Sequence, residues 1–231
     1  MKKMLFVVAL ALVGSVFAAD LSKNLTFEAD YRTGSTTPQV AKGDKKFTRF
    51  FNSPVVVEKD KGLEVGSKSA TLRYNAAGNI YPGEGSIEIL FEPIDYQIND
   101  DKKHGIFSCG GPNSSVTISI INGEAGALFK IGKAFYHPRK AVADLDAKVF
   151  HLVATYTDSS FAFYLNGELL AKRQANANTD PFDLTGAKIF YVGESFQPWR
   201  NNGNSRIKFL RIYDRVLDED EIEELANKAT K

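Results

Sequence analysis

The 231-residue sequence predicts an all-β fold, an antiparallel sandwich or barrel closed by a short C-terminal helix. Three observations carry this. Short runs of β-branched and aromatic residues recur along the chain, separated by Gly, Asn, Asp and Pro clusters. Several of the runs alternate apolar and polar residues with a period of two. No helical crossover segments lie between them, which disfavours a parallel α/β sheet.

The chain opens with an address. Lys2 and Lys3 precede the apolar run Leu5–Val13, and Val16-Phe17-Ala18 places tolerated residues before a cut. Met1–Ala18 therefore reads as a secretory signal peptide, cleaved after Ala18. The run is too short to span a bilayer as a mature helix. Residues 19–231 are expected to form one domain, extracytoplasmic (periplasmic or secreted) and bacterial, with no membrane insertion after cleavage.

Strands are then expected at Asn24–Ala29, Pro54–Glu58, Ser69–Tyr74, Ser86–Phe91, Gly105–Cys109, Ser115–Ile121, Ala127–Ile131 and Lys133–His137. They continue at Phe150–Thr155, Ser160–Leu165, Glu168–Arg173, Ala187–Val192 and Arg206–Tyr213. Gly34–Thr48, rich in Thr, Lys and Gly, reads as a long surface loop. In Ser86–Phe91 the residues Ile87, Ile89 and Phe91 face a core, while Glu88, Leu90 and then Glu92 face the other way. The sharpest local signal is Phe161–Leu165, Asn166-Gly167, Glu168–Ala171, a β-hairpin. Asn-Gly supplies the two positive φ angles of a type I′ turn.

The helix is expected at the end. Asp218 caps it, Glu221 at N3 reaches back in a capping box, and Leu217 with Ile222 forms a hydrophobic staple. Acids crowd the first turn and Lys228 lies near the last, both favourable to the helix dipole.

Composition narrows function. The chain carries 29 Lys+Arg against 28 Asp+Glu, and loss of Lys2 and Lys3 with the leader leaves 27 against 28. A balance near zero excludes a strongly basic nucleic-acid binder. It suits a neutral ligand, unless a local basic patch gathers around Arg139, Lys140, Arg200 and Lys208. One cysteine, Cys109, excludes a disulfide scaffold and a Cys-based zinc site. His104, His137 and His151 show no close metal-binding spacing.

Four motifs now stand in order: Phe150-His-Leu-Val-Ala-Thr-Tyr156, Tyr164-Leu-Asn-Gly-Glu168, Tyr191-Val-Gly193 and Ile207-Lys-Phe-Leu-Arg-Ile-Tyr-Asp-Arg-Val-Leu217. Upstream, Gly85-Ser-Ile-Glu-Ile-Leu-Phe-Glu-Pro93 adds a fifth. Together they resemble the laminin-G-like, concanavalin A-like lectin/glucanase jelly-roll domains of bacterial exported proteins. The resemblance implies a jelly-roll sandwich and a binding role toward glycans, matrix proteins or sister domains. It also admits glycoside hydrolases. Where relatives carry Asp in the last motif, this chain has Lys208. A cation there opposes the structural calcium that some relatives are expected to hold, because a hard ion needs several oxygen ligands. No cofactor is expected.

Two candidate sites follow. Glu88 and Glu92, on one side of one strand, are the carboxylates a hydrolase would use. A retaining enzyme needs its pair about 5–5.5 Å apart, whereas four strand residues span roughly 13 Å. The expected reading is therefore two solvated glutamates without catalysis. The loop Phe196–Asn204 holds the single Trp. Trp199 offers an indole face for a sugar, and Arg200, Asn201 and Asn202 offer donors to its hydroxyls. The competing and favoured reading folds Trp199 back over the end of the sandwich as a plug, as large aromatics are usually mostly buried. Tyr96, in another loop, is expected to line the same face. The sequence thus predicts an exported, non-catalytic binding domain for a carbohydrate or an extracellular or envelope protein. A glycoside hydrolase and a structural protein-interaction module are the alternatives.

Overall fold

The computed structural model describes residues 21–50, 54–66, 69–142, 148–193 and 203–229. The expected leader, Met1–Ala18, lies outside them. The described chain forms two antiparallel sheets packed face to face and a single α-helix, the all-β class the sequence predicts.

The nine-stranded sheet runs β15 (Glu168–Gln174), β14 (Ser160–Leu165), β13 (Phe150–Tyr156), β7 (Gly85–Pro93), β17 (Asn204–Tyr213), β1 (Leu25–Asp30), β2 (Val40–Ala41). β5 (Gly62–Gly66) also pairs with β17, and β4 (Val56–Glu58) with β5. The eight-stranded sheet runs β11 (Ala134–Tyr136), β10 (Glu124–Ile131), β9 (Ser114–Ile121), β8 (Lys103–Gly110), β16 (Ile189–Val192), β6 (Thr71–Asn75), β3 (Phe47–Phe50), with β12 (Arg139–Ala141) beside β10. Neighbours distant in sequence, such as β7 between β13 and β17, are the crossovers of a jelly roll.

The alternation read from the sequence is what fills the space between the sheets. Ile87, Ile89 and Phe91 of β7 face Ile118, Ile120 and Phe129 of the opposite sheet in one continuous buried cluster. Aromatic rings dominate it. Phe129 stacks on Phe161 at 4.5 Å, and Phe27 meets Tyr74 and Phe190 edge-on at 5.0 and 5.1 Å. Such contacts add about 0.5–1.5 kcal/mol each beyond their burial.

Some elements depart from expectation. Gly34–Thr48 is not wholly loop, since β2 and the first residues of β3 lie within it. β5 has glycine at both ends, a turn signal in the sequence. Here Gly62 and Gly66 have φ of 119° and 133°, and a Cβ on either would lie 2.4 or 2.3 Å from a carbonyl oxygen across the pair, of Ile207 and Gly203. Close approach to β17 demands glycine there. β12 was also unforeseen; its three residues are all exposed.

The helix α1 (Glu219–Ala229) begins as predicted. Glu221 N donates to Asp218 Oδ1 at 2.9 Å and Asp218 N donates to Glu221 Oε2 at 3.0 Å, a reciprocal capping box. Its apolar side, with Ile222 and Leu225, joins Leu217, Val153, Ala162 and Tyr164 in a second buried cluster on the outer side of the nine-stranded sheet. Part of one outer face of the sandwich, at β13, β14 and the end of β17, is thereby covered.

Candidate functional site

The covered part of the nine-stranded sheet contains Glu88. It stands between Val153 of β13 and Arg211 of β17, on the outer side of β7 as the alternation predicts. It is not solvated. The residue is 0 % exposed; its carboxylate accepts from His151 Nε2 at 2.9 Å and from the Tyr213 hydroxyl at 2.7 Å. Arg211 Nη1 lies 3.5 Å away, while Arg211 Nε is bound to Glu28 at 2.7 Å. Burial alone raises the Glu88 pKa. The His151 hydrogen bond and the Arg211 charge outweigh it and hold the carboxyl below the usual range. The expectation of two solvated glutamates is corrected for Glu88: clusters of apolar residues and α1 cover a face that strand alternation alone leaves open.

Glu92, at the other end of β7, is half-buried and pairs with Lys208 Nζ at 2.7 Å and Arg206 Nη1 at 3.6 Å. Lys208 therefore supplies in β17 the positive charge that Glu92 needs. The two carboxylates have separate sets of partners. No cluster of three or more metal-binding side chains occurs among the described residues.

Tyr96 is a stacking residue. Its ring lies parallel to His104 at 3.5 Å, and its hydroxyl pairs with Ser205 Oγ at 2.8 Å. His104 Nε2 donates to Asp100 Oδ1 at 2.9 Å. Burial, against the pull of Asp100, lowers the His104 pKa. Trp199, Arg200, Asn201 and Asn202 lie outside the described residues. Of the residues around which a basic patch was sought, Arg200 lies outside the described residues, Lys208 is tied to Glu92, and Arg139 Nε is tied to Glu124 at 3.1 Å. Cys109 is buried, and burial pushes its thiol up to about 12, well away from reactivity.

The open surface is on the other sheet. A groove of about 500 Å3 runs along the outer side of β8 and β9. Its construction follows from period two: Val116, Ile118 and Ile120 go to the core, so Ser115, Thr117 and Ser119 line the groove. Ser108 stands directly opposite Thr117 on β8. Gly110 and Gly111 lack side chains and are partly exposed, which brings backbone to the groove, while Gly105 is buried beneath it. Leu128, Lys130 and Phe135 form one wall, and His104 marks one end. Phe135 is 57 % exposed. Hydroxyls, exposed backbone and an aromatic ring within a few hundred Å3 suit a hydroxylated ligand. The sequence contained the signal as Ser-Val-Thr-Ile-Ser, read above only as a strand. That its polar side faces a groove depended on which sheet face stayed uncovered.

The comparisons place the fold. Residues 94–223 match the family described as the concanavalin A-like lectin/glucanases superfamily. No curated protein matches the sequence. Among solved structures, the binding domain of botulinum neurotoxin DC in complex with SialylT is similar at a TM-score of 0.72 and 14% identity, over 90% of this chain and 52% of that one. The ligand binding domain of botulinum neurotoxin serotype D in complex with N-acetylneuraminic acid gives 0.70 and 14%, over 91% and 52%. The binding domain of serotype D gives 0.69 and 13%, over 90% and 52%. This chain spans about half the length of those neighbours, and at such identity they speak for the fold alone. The family match covers more than half of the chain and coincides with the jelly-roll strands β8 to β17 and the start of α1, so the chain belongs to the concanavalin A-like lectin/glucanase superfamily.

Proposed function

We propose that this chain is an exported, non-catalytic carbohydrate-binding domain whose binding surface is the groove on the eight-stranded sheet. The groove is the observation that carries the reading: it is open, lined by hydroxyls and backbone, and walled by an exposed aromatic ring. Sugar hydroxyls pair with such groups, and the apolar face of a sugar stacks on a ring. Structural neighbours whose names record sialylated ligands support a carbohydrate partner. Residues 19–231 act as one domain after removal of Met1–Ala18, in the periplasm or outside the cell. Trp199, with Arg200, Asn201 and Asn202, is proposed as a second contact from a neighbouring loop. Catalysis by Glu88 and Glu92 draws no support from the fold, since Glu88 has no exposed surface and Glu92 is held by two cations.

A glycan array tests this with wild type, Thr117→Trp, which fills the groove, and Trp199→Ala. Thr117→Trp is expected to lower binding at least about tenfold, the loss of roughly 1.4 kcal/mol. Binding that survives Thr117→Trp overturns the groove. Loss on Trp199→Ala alone would move the site to the loop 196–204.

A further inference from the structure

One end of the groove differs chemically from the rest. Phe135 and Lys130 are directly opposed on β11 and β10, so the exposed ring and the ammonium project together from the outer face of the sheet. His137 lies two residues on, its ring centroid 6.3 Å from that of Phe135. Arg139 continues the line on β12, and the exposed Arg173 stands on β15, which packs beside β12, and donates to the Lys172 carbonyl. Against these cations stands Glu124, already bound by Arg139 at 3.1 Å. No Asp or Glu lines the groove among the described residues. The local field is positive: burial and the charges of Arg139 and Arg173 hold the His137 imidazole below the usual histidine range, against the pull of Glu124.

We propose that the Phe135 end of the groove is a subsite for an acidic sugar residue, which makes the domain selective for acidic polysaccharides. This rests on the groove being the carbohydrate surface. The physical case is complementarity. A sugar ring laid on Phe135 brings its exocyclic groups to the position of Lys130, and a carboxylate or sulfate there gains an ion pair that a neutral hydroxymethyl does not. Arg173 and Arg139 add a longer-range attraction. Lysine acts as a point charge and reads charge without demanding the geometry of one acid. The near-zero charge of the whole chain does not oppose this, because the groove feels the charges at its own wall.

The test pairs each acidic polymer with its neutral counterpart: dextran sulfate with dextran, and polygalacturonate and alginate with their carboxyl-reduced forms. Binding is measured by titration with the purified protein, at low salt and at about 1 M ionic strength, where the Debye length falls to about 3 Å. In at least one pair the acidic member is expected to bind about tenfold tighter at low salt, and the gap to shrink at high salt. Lys130→Met is expected to narrow the gap about threefold, and the Lys130→Met/Arg173→Met double variant to narrow it further. Phe135→Ala weakens acidic and neutral members alike. Lys59→Met, a charge removed from the β4–β5 turn, leaves the gap unchanged. Circular dichroism confirms that each variant is folded. Equal binding within every pair overturns the acidic subsite while leaving the groove as a neutral-glycan surface. An acidic preference untouched by the double variant overturns its location. Binding that persists in Thr117→Trp defeats the underlying groove reading and is distinguishable from both.

Discussion

At the scale of single residues, Glu88 shows how a carboxylate can be retained inside a packed face. Its partners come from the two strands that flank β7: His151 on β13, and Tyr213 and Arg211 on β17. Removing it leaves Arg211 and His151 facing an apolar layer, and a broken buried pair costs about 3–5 kcal/mol. Glu88→Ala is therefore expected to lower stability by about 3 kcal/mol or more in urea unfolding. The pH dependence has a definite sign. The folded pKa of Glu88 lies below its unfolded value of about 4.3, so its contribution is full above that value and is lost as pH falls through the folded one. Melting curves between neutral and acid pH should show a steeper acid loss for wild type than for Glu88→Gln. Identical acid limbs would assign that loss to other carboxylates.

At the scale of elements, α1 is held by its first turn. The same Glu221 carboxylate closes the capping box and receives Arg215 through two bonds of 2.6 and 2.7 Å. Arg215 is itself anchored, because its carbonyl accepts from Ser86 Oγ, which in turn accepts from Leu217 N. Asp218→Ala removes one cap bond and is expected to cost about 1 kcal/mol. Glu221→Ala removes the reciprocal bond and the Arg215 pair, so its denaturation midpoint should fall further. If the two variants unfold together, the Arg215 pair contributes nothing measurable. Docking of the helix also depends on the β14–β15 hairpin. Asn166 and Gly167 adopt φ of 51° and 90°, as a type I′ turn requires, and a Cβ on Gly167 would sit 3.3 Å from Glu223 Cα. The turn glycine thus serves both the hairpin and the close approach of α1.

At the scale of the molecule, the sandwich has two unlike outer faces. The nine-stranded sheet is covered at β13, β14 and β17 by α1 and its cluster, while the eight-stranded sheet carries the groove. Ligand protection should follow that asymmetry. Hydrogen exchange with a bound polysaccharide is expected to slow at 115–130 and to leave 219–229 unchanged. Protection of the helix instead would place recognition on the covered face.

Much of this was legible in the residues themselves. Period-two alternation fixes which side chains of β7 and β9 enter the core, Asn166-Gly167 fixes the hairpin, and Asp218 with Glu221 fixes the start of the helix, because each is set by neighbours in sequence. The order of motifs carried the family for the same reason. What alternation cannot give is which outer face is later covered. Glu88 and Thr117 are both outward on their strands, yet one is sealed in an ionic network and the other lines a groove. Phe135 and Lys130 are five residues apart and become one surface only through the pairing of β10 with β11. Sequence periodicity decides inside from outside, and only the packing of distant elements decides which outside meets solvent.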